Sequence, residues 1–468
     1  MNNKRLPEPQ ENIMRTMPVG KLLLKMAPPL VLSMLVQAFY NVVDSMYVAD
    51  FSENAVTALA LAFPIQNLQI GCGVGLAVGM NSLLSKSLGE GDREKANSAA
   101  GNSILLVLIA TIGFMLFGVF GAGWYYNNQP ISADTAAGGT AYTQICSVFT
   151  LGVFVQILTE RMLQSTGKTI YTLFTQGTGA VLNIILDPLF IFGVEPLGIP
   201  AMGVAGAAVA TVISQWVAAG LGIFFNLTKN KELSFGLRYL KPDFRVLGKI
   251  LGVGIPAGLM NAIGSVMVYG INQILLSFTA VGETASGVFG VYFKLQSFFF
   301  MPVFGLNNAG ISVIAYNYGA GLPDRIMKTL KWVIGVSLTV MFAGVAAFQL
   351  IPDVLMGIFE NQDTQNHAFV NMGIRTLQVI SLSFPMAAVG IAISCTFQAL
   401  GNGIYSTIQS LCRQLVVLLP AAYLLSLAGD VNLVWWAFPI AEVFSLLLTV
   451  VFFAKIYKTQ IKPLYHKV

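Results

Sequence analysis

The chain has 468 residues, of which 55% are hydrophobic and 10% charged, whereas soluble domains carry roughly 25% charged residues. That leaves too little polar surface for a water-soluble protein of this length, so most of the chain must lie in lipid. The formal net charge of +5 comes from basic clusters in the loops between apolar runs, which read as orientation signals rather than as a nucleic-acid surface.

A polar stretch of about 20 residues opens the chain. It lacks the small-residue cleavage site of a signal peptide and reads as a tail. Twelve apolar runs follow, at 21–47, 55–82, 98–124, 137–163, 170–193, 203–228, 247–278, 284–315, 329–352, 370–398, 404–428 and 433–457. An α-helix needs ~20 residues to cross ~30 Å of hydrocarbon. The runs are continuous rather than alternating, which excludes barrel strands. The expected fold class is an all-α polytopic membrane protein with twelve transmembrane helices.

The loops between the runs alternate in charge. Lys4, Arg5, Arg15, Lys86, Arg93, Lys95, Lys168, Lys229 to Lys249, Arg325, Lys328, Lys331 and Lys455 to Lys467 fall on one side of a twelve-helix arrangement. Asp50, Glu53, Asp134, Glu195, Glu283, Asp353, Glu360, Asp363 and Asp430 fall on the other. This positive-inside pattern predicts a multi-pass cell-membrane protein with both termini in the cytoplasm.

The chain also repeats itself. Gly20-Lys21 and Pro28 return as Gly248-Lys249 and Pro256, Gly89 and Gly91 as Gly319 and Gly321, and Gln164, Gly167 and Tyr171 as Gln398, Gly401 and Tyr405. The expected organisation is a tail at 1–14, a six-helix lobe at 15–228, a linker at 229–245, a second six-helix lobe at 246–460 and a tail at 461–468. Six helices return the chain to its starting side, so the bundles would be related by a pseudo-two-fold along the membrane normal. In transporters with this arrangement the substrate site lies at the repeat interface. Two substitutions break the repeat: Asp44 returns as Asn272, and Asp187 as Ala421.

Ionisable residues inside the apolar runs are expensive, about 2.5–3.5 kcal/mol each on insertion scales, and are therefore functional candidates. Here they are Asp44, Glu160, Arg161, Asp187, Lys294, Arg375, Arg413 and Glu442. Tyr40 precedes Asp44, and Asn183 precedes Asp187, by four residues; Gln156, Glu160 and Gln164 share the same spacing, which places each set on one helix face. If these faces converge they form a pocket of carboxylates, an amide and a phenol. Such a pocket can carry a proton or coordinate a bare cation such as Na⁺. The alternatives are that Asp187 caps or pairs locally at a helix end and that Glu160 pairs with its neighbour Arg161 near the cytoplasmic face. In the second unit, Tyr292, Lys294, Gln296, Phe298 and Met301 form an aromatic and Met-rich strip suited to a flat apolar cation, unless the Phe run faces lipid. Gln156 would join that substrate cavity. Pro28 is either a hinge in the first helix or a packing device. Glu442 reads as a buried packing partner.

Several chemistries are absent. Ser165-Thr-Gly-Lys-Thr169 imitates the end of a P-loop, but Met162 stands where the motif needs glycine. The only histidines are His367 and His466, and the four cysteines sit in apolar runs without a CxxC pair. No catalytic constellation is present, so the expectation is a non-enzyme without a cofactor, whose work is driven by an ion gradient of H⁺ or Na⁺.

The chain resembles the multidrug and toxic compound extrusion (MATE) family over nearly its whole length. The likeness rests on Asn41-x-x-Asp44, Gly89-x-Gly91, Gln164-Ser-Thr-Gly-Lys168, Leu182-Asn-Ile-Ile-Leu-Asp-Pro188 and Gly203-Val-Ala-Gly-Ala-Ala-Val-Ala-Thr211. Phe293-Lys-Leu-Gln-Ser297 with Met301-Pro-Val-Phe-Gly305 is similar to the MepA-like branch. The resemblance implies a V-shaped cavity between two lobes. It implies an antiporter, monomeric in the bacterial membrane, that exports small and often cationic organic compounds. It also implies a cation site at Tyr40, Asp44, Asn183 and Asp187, with Glu160 and Thr211 as looser matches. Another branch of the family carries acids in helices seven and ten. None stands between Pro256 and Phe278 or between Asn371 and Leu400 here, which assigns coupling to the first lobe. The rival readings are a lipid-linked oligosaccharide flippase, which would need a strongly basic cavity, and a channel.

Overall fold

The structure is a computed structural model that describes residues 12–129, 131–194, 196, 198–357 and 367–466. Of the positions named above, residues 1–11, Glu195, Glu360, Asp363 and Lys467 lie outside the described residues, as do the side chains of Asn41, Glu53 and His367.

Lipid offers backbone groups no partners, so each crossing closes its own hydrogen bonds as a helix. Among the described residues, ten single helices are long and apolar enough to span: Val19–Phe51 (α1, of which Val19–Tyr40 is the apolar span), Glu53–Gly89 (α2, of which Thr57–Gly89 is the apolar span), Arg93–Asn127 (α3), Thr169–Ile191 (α5), Val204–Lys229 (α6), Phe244–Leu276 (α7), Gly282–Gly319 (α8), Pro323–Leu350 (α9), Gly403–Ser426 (α11) and Val431–His466 (α12). The remaining two crossings are bent. Ala133–Val148 and Leu151–Ser165 (α4) meet at 47°, and His367–Ser381 and Phe384–Ala399 (α10) at 46°. The crossings expected at 137–163 and 370–398 are thus each built from two helices that meet at an angle. The gap expected after 47 shrinks to Ser52 alone, whose Oγ accepts from Ala55 N at 3.1 Å and so starts α2 directly after α1.

The repeat is visible in local geometry. Gly91 and Gly321 adopt φ of 76° and 68°, and Gly167 and Gly401 both adopt 81°, the left-handed region in which glycine ends helices. The hydrogen bonds around them also recur. Asp92 N donates to Ser87 O (3.0 Å) as Leu322 N does to Asn317 O (2.9 Å); Lys168 N donates to Leu163 O as Asn402 N does to Phe397 O, both at 2.8 Å.

The repeats meet backbone to backbone on the side of the basic loops. A side chain at Gly79 would collide with the Ile250 carbonyl, one at Gly89 with the Tyr316 carbonyl and, reciprocally, one at Gly319 with the Lys86 carbonyl. Small residues allow such approach between helices in lipid. Ser82 Oγ donates across the seam to Gln398 O (2.8 Å), and its repeat counterpart Ser312 Oγ donates back to Asn81 Oδ1 (3.1 Å). Near mid-chain of α2, Asn67 Nδ2 still reaches Ser265 Oγ at 3.0 Å. On the basic face Asn12 Nδ2 donates to Glu232 Oε2 (2.6 Å), while Arg325 Nη2 donates to the carbonyls of Met14 and Met17 (both 2.8 Å), so the short helix Ile13–Thr16 ties the linker to the second repeat.

Each repeat has its own core. Leu76, Met80, Leu84, Phe154, Leu158 and Met162 fill the first; Phe289, Tyr292, Phe348, Phe384 and Trp435 fill the second. Leu108, Ile112, Phe120, Trp124, Leu447 and Val451 point outward and are exposed, as expected of surfaces that face lipid.

Candidate ion site and substrate cavity

Two helices of the first repeat build a carboxylate pair. On α5, the four-residue spacing lets Asn183 Nδ2 donate to Asp187 Oδ1 at 3.0 Å. Asp187 is wholly buried. Asp44, on α1, lies within hydrogen-bonding reach of Asp187, and Tyr40 stands beside both carboxyls. Asp44 Oδ1, Asp187 Oδ2 and Asn183 Oδ1 are buried without a partner. Three acceptor oxygens without donors leave a cluster short of positive charge. A proton or a bare cation such as Na⁺, which takes oxygen ligands, fits that donor set. Among the described residues no group of three or more His, Cys, Asp or Glu could hold a metal ion by itself.

Beside this pair lies a cavity of about 400 Å³. Tyr40, Asn183, Gln156, Glu160 and Thr211, all singled out from the sequence, line it. Asp44 and Asp187 are not among its lining residues; they sit behind Tyr40 and Asn183, which belong to both sites. The ion pocket and the cavity are therefore adjacent rather than the same.

Glu160 is only 3% exposed and is held by three donors. Gln156 Nε2 (3.1 Å) and Thr175 Oγ1 (3.0 Å) reach Oε1, and Gln176 Nε2 (2.8 Å) reaches Oε2. The local pair with Arg161 does not form: Arg161 Nη1 donates instead to Gln164 Oε1 at 3.0 Å.

The second repeat contributes Asn261, Phe304 and Asn308 to the wall. The expected strip does not line this cavity. Tyr292 is buried in the second core, stacked near Phe289, and its hydroxyl donates to Gln296 Oε1 at 2.6 Å. Lys294 and Phe298 are exposed and Met301 is half-buried. The reason is the direction in which α8 faces: Gly305 lies against the backbone of Val31 on α1, which turns the neighbouring Phe304 and Asn308 inward. Arg413 and Glu442 pair with each other at 2.9 Å, and Arg375 is exposed. The helix α1 runs unbroken through Pro28 and Pro29. Asn272, the counterpart of Asp44, accepts from Ser286 Oγ at 2.8 Å.

Tyr142 and Cys146 escaped the sequence reading. Both lie close to Asp44, and Tyr142 Oη accepts from Gln66 Nε2 at 2.7 Å. Their four-residue spacing on the first half of α4 was the available signal.

The MatE family profile matches residues 29–189 and 250–424. The chain is 26% identical to the multidrug export protein MepA of Staphylococcus saprophyticus over 421 residues, 89% of this chain and 90% of that protein. It is 25% identical to MepA of Staphylococcus aureus over 438 residues, 91% of each chain. Among solved structures, a MATE protein in complex with MaL6 superposes with a TM-score of 0.89 at 22% identity, covering 97% of this chain and 99% of that one. An outward-facing multidrug resistance MATE family transporter of the MOP superfamily superposes at 0.87 and 22% identity, covering 96% and 97%.

Proposed function

The chain belongs to the MatE family, and on that premise we propose that it is an antiporter that exports small amphipathic, often cationic organic compounds in exchange for H⁺ or Na⁺. It would act by alternating access, as a monomer in the bacterial cell membrane with both termini cytoplasmic. Its relatives are named multidrug export proteins. The observation that carries the coupling is the Asp44–Asp187 pair, with three unpartnered buried oxygens set directly behind the cavity wall.

The wall suggests how exchange arises. Tyr40 and Asn183 touch both compartments, so an ion taken up at the carboxylates changes what these two side chains offer the cavity. With the carboxylates charged, their field favours a cationic guest; neutralised, they release it. Asp44, Asp187 and Asn183, with Tyr40 beside them, would hold Na⁺ or the proton. The membrane potential adds roughly 2.3 kcal/mol per elementary charge per 100 mV. A flippase for lipid-linked sugars is the weaker reading, because the cavity carries one arginine beside one glutamate and not a basic surface.

Counterflow in proteoliposomes under separately imposed pH and Na⁺ gradients tests the proposal. One inward ion gradient is expected to accelerate export of a lipophilic cation. Flux indifferent to both gradients would point to a channel and overturn antiport.

A further inference from the structure

Arg161 is the cavity charge that ion coupling does not use. It is 9% exposed and lines the cavity. Its hydrogen-bond acceptor among the described residues, Gln164 Oε1, is neutral, and the ion pairs among those residues do not include it. Glu160 is next to it in the chain, but successive helix residues face different ways, and both Glu160 oxygens are already taken by Gln156, Thr175 and Gln176. A guanidinium has five N–H groups in a planar fork, so most of Arg161's donors remain for the cavity. The fold itself does not require the charge, since the corresponding position of the second repeat is Cys395. Glu160 offsets that charge through space but leaves the other donors of the fork unfilled, and unfilled donors in a membrane interior are costly. A second group points the same way with opposite polarity: Gln176, also on the wall, keeps its Oε1 buried without a donor.

We propose that Arg161 forms an oxyanion subsite in the cavity, and that with Gln176 it selects solutes carrying a carboxylate near a nitrogen that bears a proton. The carboxylate takes the bidentate geometry that guanidinium favours, and the N–H donates to Gln176 Oε1. This inference rests on the export reading and narrows its substrate class from cations to zwitterions.

The test is equilibrium binding to the purified full-length protein, read by fluorescence anisotropy. The probes are a fluorescent amphiphile bearing a tertiary amine and a carboxylate, and its methyl ester. The wild type is expected to bind the acid about 10-fold more tightly than the ester, the scale of one charge-assisted hydrogen bond. In Arg161→Gln the ratio should collapse towards one, and in Arg161→Lys, which keeps the charge but loses the fork, it should fall between. A wild-type ratio near one, or a ratio that survives in Arg161→Gln, overturns the proposal. Binding needs no gradient, so export that ignores both gradients would sink antiport alone, and a ratio near one alongside gradient-driven export would sink the subsite alone.

Discussion

The two repeats share a frame and differ in what fills it. Helix ends turn at matched glycines, and α4 and α10 bend by 47° and 46°. Yet Tyr40, Asp44, Asn183 and Asp187 correspond to Val268, Asn272, Val417 and Ala421, and Glu160 and Arg161 to Ser394 and Cys395. The second repeat closes the same helices around Phe289, Tyr292 and Trp435. This architecture therefore packs without those polar groups. Their presence in one copy, against the cost of placing them in lipid, is then evidence of a task, which the adjacent cavity makes concrete.

If that division is right, frame residues should fail alike in both repeats and site residues in one only. The largest effect expected of the frame is at the seam. Gly89→Leu and Gly319→Leu should each lower export more than about 10-fold at matched expression, because a side chain at either place meets a carbonyl of the other repeat. Gly335→Ala, which meets nothing within 4 Å, should stay within about 2-fold. Unequal losses at the two seam glycines would break the symmetry.

A moderate effect should come from the second repeat's ion pair. Arg413→Met leaves Glu442 without its partner and should cost about 1–3 kcal/mol of stability, discounted for partial exposure, read as a lower melting temperature in detergent. Adding Glu442→Met should restore most of it. Failure of the double variant to recover would give the pair more than a packing role.

The smallest effect concerns the basic face, which belongs to neither bundle. Burial raises the Glu232 carboxyl, opposed by Lys168 and the Asn12 hydrogen bond. A carboxyl raised in the folded state holds its proton longer there than in the unfolded chain, so stability falls as pH rises through the window just above the ordinary glutamate range. Glu232→Gln should flatten that slope by less than ~1 kcal/mol, because the side chain is 26% exposed. An unchanged melting profile against pH would remove this contact from the account.

Much of this was legible in the sequence. Length and hydropathy located the crossings, and matched glycines located the repeat, because both follow from chain-local physics. The pairs Tyr40–Asp44 and Asn183–Asp187 were readable because helical spacing fixes which residues share a face. Spacing does not fix which way the face points, and so the strip from Tyr292 to Met301 was expected at the cavity where Phe304 and Asn308 stand. That direction is set by Gly305 against Val31, a contact between distant segments. The bend at Phe149-Thr150 was likewise hidden, because Gly152 beside it is one of many glycines in the apolar runs, and Tyr142 lay in such a run without an acidic neighbour to single it out.

The most direct test of the central claim, that the first repeat alone couples the ion, compares Asp44→Asn with its counterpart Asn272→Ala in everted vesicles energised by an imposed ion gradient. The account predicts that gradient-driven export falls to background in Asp44→Asn and stays within about 2-fold of wild type in Asn272→Ala. Wild-type export in Asp44→Asn, or an equal loss in both, would contradict it.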